Sequence, residues 1–221
     1  MEQKSVTQHD YNVAEEEFKY YIRESDYLLR NDESIIVHID GANFSKHTNK
    51  LSNDNKRLIF QLLVATAKSV IKEFRGAKLG YVCCDEISIL LDGKYIEFND
   101  SNRIQKILSR SVSLTTLIFN QLLYELERKE KEQLSDFVGH TTFSAKCYNL
   151  PIRQVNNYFK WRLLACKKAI FDKHEKYEKQ EDWKKYGTVL LFDKNDWEEK
   201  SVDFETKKFY RQPQNDYYQL G

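Results

Sequence analysis

The chain has 221 residues, 31% of them charged, yet a formal net charge of only +1. That length can bury a core without covalent staples. The near-neutral balance excludes a global basic field, so any nucleic-acid binding must rest on local patches. No stretch is long and apolar enough for a membrane span, and the opening MEQKSVTQHDYNVAEEEF lacks the apolar centre of a leader, so a cytoplasmic location is expected. Cys83, Cys84, Cys147 and Cys166 form no C-x-x-C pair and have no histidine at zinc-finger spacing. They read as small buried thiols of a reducing compartment, with Cys83 and Cys84 pointing to opposite faces of a strand.

Residues 1–13 are polar and expected to be flexible. A helical pattern runs from about Ala14 to Leu29, with Phe18, Tyr21, Ile22 and Leu29 on one side. Ser34 to Ile39 is a β-branched apolar run that predicts a buried strand. After the polar loop KHTNKLSND, in which Asn53-Asp54 offers a cap, a helix is expected from Asn55 to Phe74. Lys78–Cys84 and Ile87–Leu91 predict a hairpin bending near Asp85-Glu86, closed by a turn at Asp92-Gly93. A long helix from Ser101 to Arg128 follows, then a strand over Thr141–Tyr148. Another helix is opened by Pro151 and runs to Phe171.

The segment at about 172–185 is a charged bridge, expected to be a solvated helix or loop. YGTVLLF, Tyr186 to Phe192, predicts a last strand, and the rest is a polar tail. The order of elements suits one α+β domain spanning the chain: a ferredoxin-like antiparallel sheet with helices packed on it.

Two apolar runs end on acids, IIVHIDGANF at Asp40 and GYVCCDEISILL at Asp85-Glu86. Carboxylates brought together on rigid strands coordinate Mg²⁺, leaving positions for phosphate oxygens and water. Gly41, with no Cβ, allows close approach of backbone to an ion or phosphate, and Glu86 is suited to orienting a bound water. The competing reading is two plain turns; the pairing of both acids with apolar strands favours a site. Arg103, Lys106 and Arg110, spaced by three and four, form a basic stripe on the long helix that suits a triphosphate or simply faces solvent. Lys146, Arg153, Lys160, Arg162, Lys167 and Lys168, interleaved with Tyr158, Phe159 and Trp161, suit RNA, although the aromatics fit a core equally well. His38, His47, His140 and His174 are isolated and receive no ligand role.

HIDGANF, GYVCCDEISILL, FNDSNRIQKILSRSVS, NNYFKWRLLAC and YGTVLLF, in this order from about Phe18 to Phe192, resemble the tRNA-His guanylyltransferase family and its 3′-to-5′ polymerase relatives. The resemblance implies a polymerase-like palm holding two Mg²⁺ ions at Asp40, Gly41 and Asp85, with Glu86 as the neighbouring acid of the catalytic set. It implies nucleoside triphosphate substrates (GTP and ATP) bound by Gly41, Ala42, Asn43, Phe44, Arg103 and Lys106. Arg110, Lys146, Lys160, Arg162 and Lys167 are assigned to RNA, and the matching Trp-Arg pair is Trp161-Arg162. The implied activity is nucleotide addition to the 5′ end of tRNA or a tRNA-like RNA, by a homo-oligomer, dimer or tetramer. The chain departs from the family pattern at His38 and Ala42, where arginines are usual, at Cys83-Cys84, where Gln-Ser is common, and after Trp161-Arg162. Two alternatives stand beside this reading: a palm-type nucleotidyltransferase or cyclase using free nucleotides, and a non-catalytic RNA-binding relative.

Overall fold

The computed structural model describes residues 27–98, 100–130, 140–172, 179–193 and 196–200. The tail beyond 200 and residues 1–26, which hold most of the first expected helix, lie outside them. The end of that helix is a correction: Tyr27–Leu29 is not helical, Leu28 bridges Arg103, and the Leu29 N–H donates to the Asn102 carbonyl at 2.9 Å.

Strand β1 (Ser34–Ala42) runs three residues past the apolar segment, carrying Asp40 and Gly41 within it. A short helix α1 (Phe44–Thr48) follows, and then α2 (Asn53–Lys72). The cap of α2 is Ser52 rather than Asn53-Asp54: its hydroxyl accepts from the Asn55 N–H at 3.1 Å, while Asp54 sits in the first turn, where the helix dipole favours it. Strands β2 (Ala77–Cys83) and β3 (Glu86–Leu91) form the expected hairpin around Cys84-Asp85. Gly93 opens a 3₁₀ turn, and a Cβ there would stand 2.0 Å from the Glu33 carbonyl oxygen, so no other residue fits.

Helix α3 (Ile104–Glu130), strand β4 (Thr142–Leu150) and helix α4 (Val155–Asp172) follow in the expected order. Of the charged bridge, 173–178 lies outside the described residues. Its remainder forms α5 (Asp182–Tyr186), whose Trp183 ring packs 4.9 Å from Phe60, so this end is anchored rather than purely solvated. Strand β5 (Thr188–Asp193) continues into β6 (Asp196–Lys200), an element that the composition DWEEK conceals because it lacks apolar alternation.

The strands form one antiparallel sheet in the order β4-β1-β3-β2-β5-β6. The first four strands have the ferredoxin-like order, and β5 and β6 extend the β2 edge. Alternation divides β1 cleanly. Ile35, Val37 and Ile39 join Leu63, Ala67 and Phe119 beneath α2 and α3. On the opposite face Ile36 joins Leu79, Leu90, Phe159 and Leu163 beneath α4. Burial on both sides explains why the inner strands β1, β3 and β2 read as continuous apolar runs.

Candidate active site

Register brings the acids together. Asp40 lies opposite Glu86 of β3 and Ser144 of β4, and two residues back His38 lies opposite Ser88 and Lys146. By alternation Asp40, His38, Glu86 and Ser88 all share the face covered by α4. Asp85 sits in the adjoining turn, where its carbonyl accepts from the Gly41 N–H at 3.1 Å. That bond ties the end of β1 to the hairpin tip. Gly41 is required by packing as well: a Cβ there would come 2.6 Å from the Phe44 ring.

The three carboxyls are crowded and half-buried. Burial, opposed by Arg162 and Lys146, raises the Asp40 carboxyl. Burial, joined by neighbouring Cys84, Asp40 and Glu86, lifts Asp85 to about 7. Glu86 is also raised by burial, against the pull of Arg162. Hard oxygen donors that repel one another at the end of rigid strands fit a hard divalent cation, so Asp40 and Asp85 are a chemically suitable Mg²⁺ pair.

Arg162, expected to meet RNA, is 8% exposed; its guanidinium donates to Glu86 and lies 4.5 Å above the Trp161 ring. It holds an acid of the site in place. Beneath them lies a polar network that the sequence reading missed. His38 Nδ1 is 3.2 Å from Ser88 Oγ, which is 2.8 Å from the Tyr158 hydroxyl. Burial, then Arg162 and Lys146, push the His38 imidazole down to about 4, so it is neutral near pH 7. The available signal was positional: His38 stands two residues before one acid, and Ser88 two after another.

Beside Asp85 opens a cleft of about 250 Å³, floored by Phe44 and bordered by Ser45, Lys56, Trp183 and Lys184. Ala42 and Asn43 lead from β1 into it, with Asn43 in the left-handed region at φ 58°. The Phe44 side chain turns inward, 5.6 Å from Phe119 and 6.1 Å from Phe143. Lys56 and Lys184 are cations of the cleft that the sequence did not single out.

The basic stripe lies elsewhere. Arg103 pairs with Leu28 ahead of β1, and Arg110 binds Glu73 at 3.1 Å beyond the end of α2. Both mark the end of the sheet where β1 begins. Asp40 is six residues along that strand, roughly 20 Å away at about 3.3 Å per residue. Arg103, Lys106 and Arg110 therefore do not reach the carboxylates within one chain. Lys146 does stand near them, exposed in the row next to Asp40. Lys160 and Lys167 are half-exposed on α4. Tyr158 and Phe159 are buried, whereas Trp161 is 58% exposed, so the aromatic group divides between core and surface.

The thiols also differ from expectation. Cys84 lies in the turn rather than the strand, at φ 54°, and is exposed. Its sulfur is 3.7 Å from Cys166 on α4.

A family model described as "Thg1: tRNAHis guanylyltransferase" matches residues 15–151. Among solved structures, the fold is similar to a bacterial tRNA(His) guanylyltransferase-like protein in complex with GTP. The TM-score is 0.73 at 25% identity, covering 87% of this chain and 94% of that one. The ATP complex of a bacterial protein so described gives a TM-score of 0.68 at 25% identity, covering 87% and 92%. The Saccharomyces cerevisiae tRNA(His) guanylyltransferase shares the fold, with a TM-score of 0.62 at 17% identity, covering 77% and 91%. No curated protein matches the chain.

Proposed function

The chain belongs to the tRNA-His guanylyltransferase family, and on that premise we propose that it is a Mg²⁺-dependent nucleotidyltransferase adding nucleotides in the 3′-to-5′ direction. Its substrate is the 5′ end of tRNA or a tRNA-like RNA, and its products are repaired or guanylated 5′ ends. The observation that carries the reading is the meeting of Asp40, Asp85 and Glu86 at one end of the sheet, beside an open cleft. GTP and ATP as substrates are supported by the nucleotides bound to the bacterial relatives.

In this reaction the 3′-hydroxyl of the incoming nucleotide attacks the 5′ phosphorus of the RNA, and pyrophosphate leaves a triphosphorylated end. A monophosphorylated end first takes AMP from ATP with release of pyrophosphate, and AMP then leaves when the 3′-hydroxyl attacks. Two Mg²⁺ ions bound by Asp40 and Asp85 would supply charge neutralisation for the attacked phosphate and the leaving group. Gly41 keeps the backbone at the strand end close-packed, and Arg162 orients Glu86. Lys56 and Lys184 face the cleft as partners for a triphosphate, and Lys146 faces outward beside Asp40 as a phosphate contact for RNA. Phe44, Phe60 and Trp183 line the cleft with apolar surface, against which a nucleobase can pack.

Among the described residues no helix is long and apolar enough to cross a membrane. Cytoplasmic location and assembly as a dimer or tetramer complete the proposal.

The test is incubation of the purified protein with Mg²⁺, labelled nucleotides and a tRNA lacking its 5′ nucleotide, supplied as mono- or triphosphate, beside Asp40→Asn. Extension by the wild type alone supports the proposal. Nucleotide turnover independent of RNA refutes it in favour of a free-nucleotide enzyme. RNA binding without either reaction makes the chain a binding module.

A further inference from the structure

Among the described residues, three thiols meet at the hairpin tip. The sulfurs of Cys83, Cys84 and Cys166 all lie within 4.8 Å of one another. We propose that this trio binds a thiophilic cation of the Zn²⁺ class, at a site separate from the hard oxygen donors of the carboxylates.

Spacing is the first argument. A Zn–S bond is about 2.3 Å, which puts two sulfurs on one tetrahedral ion roughly 3.8 Å apart. Cys84 and Cys166 already stand at 3.7 Å.

The scaffold is the second argument. Cys83 ends β2, Cys166 stands on the packed helix α4, and both are nearly fully buried. Cys84 follows Cys83 directly, and strand alternation would send its side chain to the opposite face. Its left-handed backbone, φ 54°, breaks that alternation and brings the sulfur back toward Cys166. The conformation is one that non-glycine residues adopt uncommonly.

Access and charge are the third. Cys84 is exposed, and Cys84 and Cys166 border the same cleft as Asp85, through which an ion can enter. A solvent water entering by that cleft would take the fourth position. Of the nearby cations, Arg162 is held by Glu86. The thiols now hydrogen-bond to backbone, Cys166 donating to the Lys184 carbonyl at 3.0 Å and Cys83 to that of Arg162 at 3.8 Å. Binding exchanges three S–H bonds for three metal–sulfur bonds and releases up to three protons, with no change of oxidation state.

The site is tested by binding alone, so its outcome is independent of nucleotidyl transfer. Reduced, chelator-treated full-length protein is titrated anaerobically with Co²⁺ and then Zn²⁺, with folding checked by circular dichroism. The expected result is one sulfur-to-cobalt charge-transfer band with intense tetrahedral visible bands, saturating at one ion per chain and displaced by Zn²⁺. Co²⁺ held only by the carboxylates gives weak bands and no charge transfer. Cys84→Ser and Cys166→Ser, each removing a direct ligand, should weaken Zn²⁺ binding by at least the roughly 10- to 100-fold that loss of an outer-shell partner causes. Cys147→Ser, a buried thiol on β4 outside the trio, should leave it unchanged. The proposal is overturned if the folded wild type gives no charge-transfer band, or if Cys147→Ser loses as much as Cys84→Ser. It is also overturned if peroxide joins Cys84 to Cys166 in a protein that takes up no Zn²⁺, which would make the pair redox-active instead.

Discussion

Replacing Asp85 by asparagine should stabilise the ion-free protein while removing its activity. In the folded chain the Asp85 carboxyl titrates at about 7 instead of the ordinary 3.8, because it is buried beside Cys84, Asp40 and Glu86. A carboxyl that is harder to ionise folded than unfolded carries no penalty below both values. The penalty grows as pH rises from about 4 to about 7 and is constant above that. At about 1.4 kcal/mol per tenfold, the ceiling is roughly 4 kcal/mol. Water reaching the open cleft lowers that, leaving an expected gain of about 1–3 kcal/mol for Asp85→Asn at pH 8. The assay is urea unfolding of wild type and variant with EDTA at pH 8 and pH 4. The two should differ at pH 8 and converge at pH 4. Adding Mg²⁺ should then stabilise the wild type through linkage and leave the variant nearly unmoved. Equal stabilities at pH 8, or a gain that persists undiminished at pH 4, would refute the reasoning.

Arg162→Met leaves the partly buried Glu86 without its cation and should cost about 2–4 kcal/mol, whereas adding Glu86→Gln should restore more than half of the loss in a urea double-mutant cycle. Phe119→Ala removes a fully buried ring that packs against Phe44 and Phe143, at 5.6 and 5.5 Å, and should cost about 3–5 kcal/mol by the same measurement. Its nucleotide affinity should fall as well, since Phe44 loses its support under the cleft. His38 is neutral in the fold down to about pH 4 against an ordinary 6.5, so its contribution to stability is present above 6.5 and is lost as pH falls toward 4. Nitrogen-detected NMR of the imidazole checks this directly: a midpoint near 6.5 in the folded protein would contradict the buried His38–Ser88–Tyr158 network.

The apolar strand leading to Asp40, the hairpin at Asp85 and the ferredoxin-like order were legible in the chain itself, because apolar runs, turn residues and connection lengths are local properties. The acids meet because the antiparallel register of these strands sets Asp40 opposite Glu86. What only the tertiary structure decided was which side chains use that framework. Arg162 pairs with an acid 76 residues away, and Cys84 meets Cys166 across 82. Both pairings depend on how α4 is rotated against the sheet, and on one left-handed residue in the turn. The basic stripe of Arg103, Lys106 and Arg110 was recognisable as a helix face, but sequence spacing carries no information about which end of the sheet that face meets. A helix of 27 residues spans about 40 Å, so its two ends belong to different parts of the molecule. Its N-terminal stripe lies at the end of the sheet where β1 begins, whereas Phe119, farther along the helix, supports Phe44 at the carboxylate end.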